Sequence, residues 1–223
     1  MDLIKRTEQN PFHVLGASTT DSRERLIELQ RDMALFGEEQ ASEEALNALL
    51  YPQSRLEAEI RWFPTAEPSE IQKLMGSVKH PIEEQPIPTF LSGSFLARFN
   101  AVRLQLGAFP ISNEREFSAV IFSLAVAADA LWPAQVMEEL NRDRVQSGFS
   151  RLEKKEEVDS ALSGLLRETV QAYLDIFSTG MRKETLLSIG KTFQSEMKNR
   201  KSRYHNSYLL DIAADEISLR YGK

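Results

Sequence analysis

The apolar residues of this chain fall at helical spacing along most of its length. Leu26, Leu29, Met33 and Phe36 stand at i, i+3, i+7 and i+10, one continuous stripe behind a capping Asp21 or Ser22 and ahead of Gly37 as a C-cap. Before it, Asn10 followed by Pro11 predicts a short helix carrying Phe12, Val14 and Leu15 and ended by Gly16. After it, Ser42 opens a third helix burying Leu46, Leu49 and Leu50. Pro52 starts a fourth, in which Leu56, Ile60 and Phe63 form a stripe while Arg55, Glu57, Glu59 and Arg61 face elsewhere.

Pro64, Pro68, Pro81, Pro86 and Pro88 then mark a connector, with one short helix predicted at Ser69 to Val78. Beyond it the pattern predicts helices at about 92–107, 113–131, 133–148, 152–178, 181–201 and 205–221. Asn113 with Glu114 and Glu116, and Pro133 after Trp132, are start signals. Leu162, Leu165, Leu166, Thr169, Val170, Tyr173, Leu174 and Phe177 trace a stripe too broad for one neighbouring helix to cover. Leu186, Ile189, Phe193 and Met197 make another, and Leu209, Ile212, Ile217 and Leu219 a third. Neither an Asn-Gly turn nor sustained alternation argues for strands. The expected fold is all-α: a helical unit over 1–64, a Pro-rich connector over 65–91 and a helical-hairpin bundle or short array over 92–223.

Composition narrows the functional classes. With no cysteine among 223 residues, disulfides and thiolate metal sites are excluded. No apolar leader follows Met1, and the longest apolar run, Phe117 to Trp132, carries Asp129 and falls short of the roughly 20 residues of a membrane span. A buried helix and a cytoplasmic protein are therefore expected. Lys and Arg total 27 against 33 Asp and Glu, and the net charge of -6 opposes adhesion to phosphate backbones.

NPFHVLG at Asn10 to Gly16 and LLYPQSRLEAE at Leu49 to Glu59 give the first 64 residues their frame. It resembles the J-domain co-chaperone family, whose opening Asn-Pro-aromatic and Val-Leu-Gly pattern and late Leu-Pro-basic junction match these segments. Asp21 to Phe36 takes the place of the family's second helix. The resemblance implies a J-like fold and contact with a seventy-kilodalton, Hsp70-type chaperone. The family's His-Pro-Asp tripeptide, which triggers that chaperone's ATPase, is replaced here by Phe36-Gly37-Glu38-Glu39-Gln40, and the following interval implies a truncated third helix. The docking face mixes Glu24, Glu28 and Asp32 with Arg23, Arg25 and Arg31, so attraction to an acidic partner is weaker than in a basic face. His80-Pro81 precedes Ile82 inside the connector and reads as a turn.

Only His13, His80 and His205 are present, with no H-E-x-x-H, Gly-rich phosphate loop or G-x-S-x-G elbow, and the residues argue against an enzyme. An active site of dispersed carboxylates stays open as a third class. His80 with Glu83 and Glu84 could be drawn around a metal, but adjacent carboxylates on a Pro-bounded loop are more often solvated. No cofactor is expected. Lys198, Arg200, Lys201 and Arg203, beside Tyr204 and Tyr208, form the basic patch of a nucleic-acid-linked alternative; the same cluster suits a helix C-terminus. Trp62, Phe63 and Trp132 read as core aromatics, with Trp62-Phe63 docking the small unit onto the helical body. The leading expectation is a non-enzymatic adaptor that binds another protein, with an Hsp70-type chaperone as the specific candidate, through Arg23, Arg31, Phe36, Arg55 and Trp62, without stimulating ATP hydrolysis. A last helix running to Arg220-Tyr221 fits the amino-terminal part of a larger helical-repeat protein.

Overall fold

The computed structural model describes residues 3–80, 93–178, 181–200 and 208–222, the side chains of 197–200 excepted. Among these residues all regular structure is helical, as the periodicity requires. The elements are α1 (Leu3–Glu8), α2 (Pro11–Leu15), α3 (Arg23–Leu35), α4 (Glu39–Leu50), α5 (Pro52–Ile60), α6 (Pro68–Lys79), α7 (Phe95–Gly107), α8 (Glu114–Ala128), α9 (Pro133–Gln146), α10 (Lys155–Phe177), α11 (Lys183–Arg200) and α12 (Tyr208–Tyr221).

Three of the capping signals act where the sequence puts them. The Asn10 side chain accepts from the Phe12 backbone N–H, Ser22 from that of Arg25, and Asn113 from that of Glu116. Gly16 closes α2 at φ +62, a left-handed conformation that disfavours side chains bearing a Cβ. The third helix begins earlier than expected. It starts at Glu39, so Ser42 lies inside it, buried, with its hydroxyl donating to the Glu39 carbonyl.

Two packing centres organise the molecule. In the amino-terminal unit α3 and α4 form a hairpin, α2 lies across both, and α5 folds back along α4. In the body, α10 is the axis: it touches α5, α8, α9 and α12, and this covers the broad stripe from Leu162 to Phe177. Phe117 of α8 stacks on Phe177 with ring centroids 4.3 Å apart, and Phe193 of α11 lies 6.4 Å from Phe117. Leu209, Ile212 and Ile217 of α12 are buried, whereas Leu219 departs from its expected stripe and is 65% exposed. The apolar core is continuous from Phe12, Leu26 and Leu49 to Leu165, Phe177 and Ile217. α6 joins it through Leu74, Met75 and Val78, so this part of the connector packs. No single helix among the described residues is long and apolar enough to cross a membrane.

The amino-terminal unit is fixed to the body by polar groups withdrawn from water. Asn100 of α7 donates to the carbonyls of Ile60 and Trp62, and Asn10 to that of Ala58, which satisfies the end of α5. The Glu59 carboxylate lies between two guanidiniums: Arg55 Nε donates to Oε1 at 2.7 Å, and Arg144 of α9 donates to Oε2 from Nε at 2.9 Å and from Nη2 at 2.8 Å. Arg55 also donates to the carbonyls of Leu49 and Thr19 and lies 3.6 Å from the centroid of the Phe149 ring. Next to Arg144, Asp143 accepts from the Thr19 hydroxyl at 2.5 Å and from the Thr65 backbone N–H at 3.1 Å. Burial pushes the Asp143 carboxyl up, and these two donors oppose the shift.

A second ionic cluster joins α1, α5, α7 and α10. Arg6, Arg61 and Arg103 converge on Glu168 at 3.0, 2.9 and 3.9 Å. Burial alone would raise the Glu168 carboxyl, but the Arg61 hydrogen bond and the fields of Arg103 and Arg61 hold it below the ordinary carboxylate range. Burial lowers the Arg103 guanidinium to about 10, Glu168 opposing. The Tyr173 hydroxyl, pushed up by burial, donates to the Arg103 carbonyl at 2.6 Å.

Removing one member of a buried ion group leaves the others uncompensated. We expect Glu59→Gln to lower the free energy of unfolding by about 3–5 kcal/mol in urea titration. For Glu168, whose pKa is depressed on folding, the stabilisation is present above the ordinary carboxylate value of 4.5 and is lost as pH falls through the lower folded value. Glu168→Gln therefore removes this acid-side slope from a plot of stability against pH, measured by thermal melts from neutral to strongly acid buffer.

Candidate functional site

One cleft stands out among the described residues, opening between α2, α3 and α6 with a volume of about 510 Å³. Its walls are mostly apolar. Phe12, Trp62, Phe63 and Ala66 line it from α2 and the turn after α5, Leu29 from α3, and Ile71 and Met75 from α6. The aromatic floor is ordered: Trp62 lies 6.2 Å from the Phe12 ring in a stacked arrangement and 5.1 Å from Phe63 in a tilted one. Trp62 is 3% exposed, and its indole N–H is buried with no hydrogen-bond partner among the described residues.

Charge sits at the cleft's edge. Arg25 of α3 and Lys79 of α6 are exposed there, with the partly buried Asp21 and His13. Burial lowers the His13 imidazole below 6.5 and Lys79 lowers it further, against a smaller opposing effect from Glu8. His13 is thus held towards its uncharged form. Gly76 of α6 also borders the cleft, and a Cβ built there meets nothing within 4 Å. The backbone permits a side chain at this position.

The residues expected to meet a partner separate into three groups. Arg23 and Arg31 are exposed on α3, with the Arg23 guanidinium 5.9 Å from the Phe149 ring centroid. Phe36 is 83% exposed at the α3–α4 tip beside Leu35 at 85%. Arg55 must be corrected: it is 1% exposed, with its charge and hydrogen-bonding capacity spent on Glu59, Leu49, Thr19 and Phe149. It fastens the unit internally and offers nothing to a partner. Trp62 is buried, as its core reading expects, and lines the floor of the cleft.

In the alternative basic patch, Lys201 and Arg203 lie outside the described residues. Lys198 and Arg200 belong to α11, but their side chains also lie outside. Glu83 and Glu84 of the metal reading lie outside as well, and among the described residues no group of three or more His, Asp or Glu is placed to hold a metal ion.

Sequence reasoning missed α6 as a wall of the site. Its signal was present in Ile71, Leu74, Met75 and Val78 at i, i+3, i+4 and i+7, the spacing of a helix face, but the surrounding prolines assigned the segment to a connector. The cleft itself had no sequence signal, because it is made by three helices meeting. Compared with family models, curated proteins and solved structures, the chain matches none of them.

Proposed function

We propose that this protein is a non-enzymatic interaction adaptor whose J-like unit binds another polypeptide without stimulating ATP hydrolysis. The observation that carries the reading is the 510 Å³ cleft, with an apolar floor, charged groups confined to the edge and a size able to take several side chains of a docked segment. Two features support the choice of a chaperone as the partner to test. The NPFHVLG and LLYPQSRLEAE segments resemble the co-chaperone family, and α3 and α4 form an antiparallel hairpin with α2 across it.

The α3–α4 turn holds Phe36-Gly37-Glu38 and has no His-Pro-Asp, so docking is proposed without the catalytic trigger. The adaptor's second surface is the helical body, which packs against the J-like unit through α10 and the two ionic clusters.

Gly76→Phe adds a ring at the border of the cleft, at a position whose backbone accepts a side chain. Titrating labelled protein with a purified Hsp70-type chaperone is expected to show binding that this variant weakens at least about tenfold, equivalent to about 1.4 kcal/mol. The chaperone's ATPase rate is expected to stay unchanged. Equal binding by wild type and Gly76→Phe, with matched thermal melts, would remove the cleft from the proposal; no binding at all would remove the chaperone.

A further inference from the structure

The last turn of α6 is weakly built. Gly76, Ser77 and Val78 in succession favour helix less than Leu or Ala, and the Ser77 hydroxyl turns back to donate to the Leu74 carbonyl at 2.8 Å. Val78 holds the turn by burial, and Lys79 by an ion pair at 2.6 Å with Glu8 of α1. His13 of α2 lines the same cleft, partly buried, with its ring 6.0 Å from that of Trp62. The charges acting on it are Lys79 and, more weakly, Glu8. Around them, Lys5 of α1 acts on Glu8, Asp21 and Arg25 border the cleft with Arg25 paired to Glu28 at 3.0 Å, and the exposed His80 follows Lys79.

At neutral pH the seam between α2 and α6 therefore holds one ion pair beside an imidazole kept towards its uncharged form. A proton on His13 places a second cation near Lys79, with Glu8 left to serve both. We infer that mildly acid solution releases the last turn of α6 from α2, with His13 taking up the proton that drives it. Burial lowers the His13 imidazole below 6.5 and Lys79 lowers it further, and both effects diminish once the turn lifts and water reaches the ring. The open form thus binds the proton more tightly. The closed form loses stability as pH falls through 6.5, and the loss is complete below the closed-state value. Glu8, held below 4.5 chiefly by its hydrogen bond with Lys79, keeps its charge through that window. The consequence is a cleft whose aromatic floor is more accessible in acid.

The inference concerns the free chain and stands apart from the adaptor reading. Hydrogen–deuterium exchange of the full chain tests it with no partner present, each rate being corrected for the intrinsic effect of pH. The amides at the end of α6, among them that of His80 bonded to the Gly76 carbonyl at 3.2 Å, are expected to lose at least about threefold in protection between about pH 7.5 and about pH 5.5, while those of α10 hold theirs. His13→Gln, uncharged throughout, is expected to abolish the loss, and His80→Gln to leave it in place. Wild-type protection that does not change with pH, a loss shared equally by α10, or a loss that survives in His13→Gln would overturn the inference. So would its disappearance in His80→Gln.

Discussion

The most deeply buried ionic tie between the amino-terminal unit and the body of this fold is the Glu59 carboxylate. Arg55 approaches it from the same helix, and Arg144 from α9 across 85 residues of sequence. The three side chains are almost entirely withdrawn from water. Buried ion groups of this kind confer little net stability over apolar packing of equal volume, yet they tolerate no partial version, because a lone charge left in the interior is severely penalised. The arrangement therefore works as a key. α5 can lie against the body only where both guanidiniums reach Glu59, and the carbonyls at its end can be satisfied only where Asn10 and Asn100 reach them.

From that register the surfaces of the amino-terminal unit follow. With α5 fixed, the Trp62-Phe63 turn is buried and supplies the floor of the cleft, and the chain emerges from it into α6, which supplies the wall. The α3–α4 hairpin is anchored at the α2 and α5 end and bare at the other, where Leu35 and Phe36 meet solvent. The unit thus presents an apolar recess beside the start of α3 and two bare apolar side chains at its end. The Arg6, Arg61 and Arg103 cluster on Glu168 fastens the remaining side to α7 and α10.

Local signals in the sequence were faithful guides to local structure. Asn10, Ser22 and Asn113 cap the helices they precede, Gly16 ends α2 in the left-handed conformation, and Pro133 opens α9. The α10 stripe, too broad for one neighbour, is covered by several. What escaped depended on tertiary contacts. α1, at six residues, is too short for a periodic signal, and its Arg6 acquires meaning only beside Glu168. Ser42 has the chemistry of an N-cap but bonds back into a helix that began at Glu39. Arg55 was misread because charged residues are mostly exposed and its distant partners, Thr19 and Phe149, cannot be inferred from spacing. The cleft was invisible for the same reason, since its walls come from separate stretches of chain.

The most direct test is whether the amino-terminal unit and the helical body unfold as one. In a Trp132→Phe background the remaining indole, Trp62, reports the junction, while far-ultraviolet circular dichroism reports all helices, most of whose residues lie in the body. Urea titrations followed by the two signals are expected to coincide in midpoint and slope. An earlier fluorescence transition, with the bulk of the helix signal intact, would contradict the claim that Glu59 and its two guanidiniums bind both parts into a single cooperative structure.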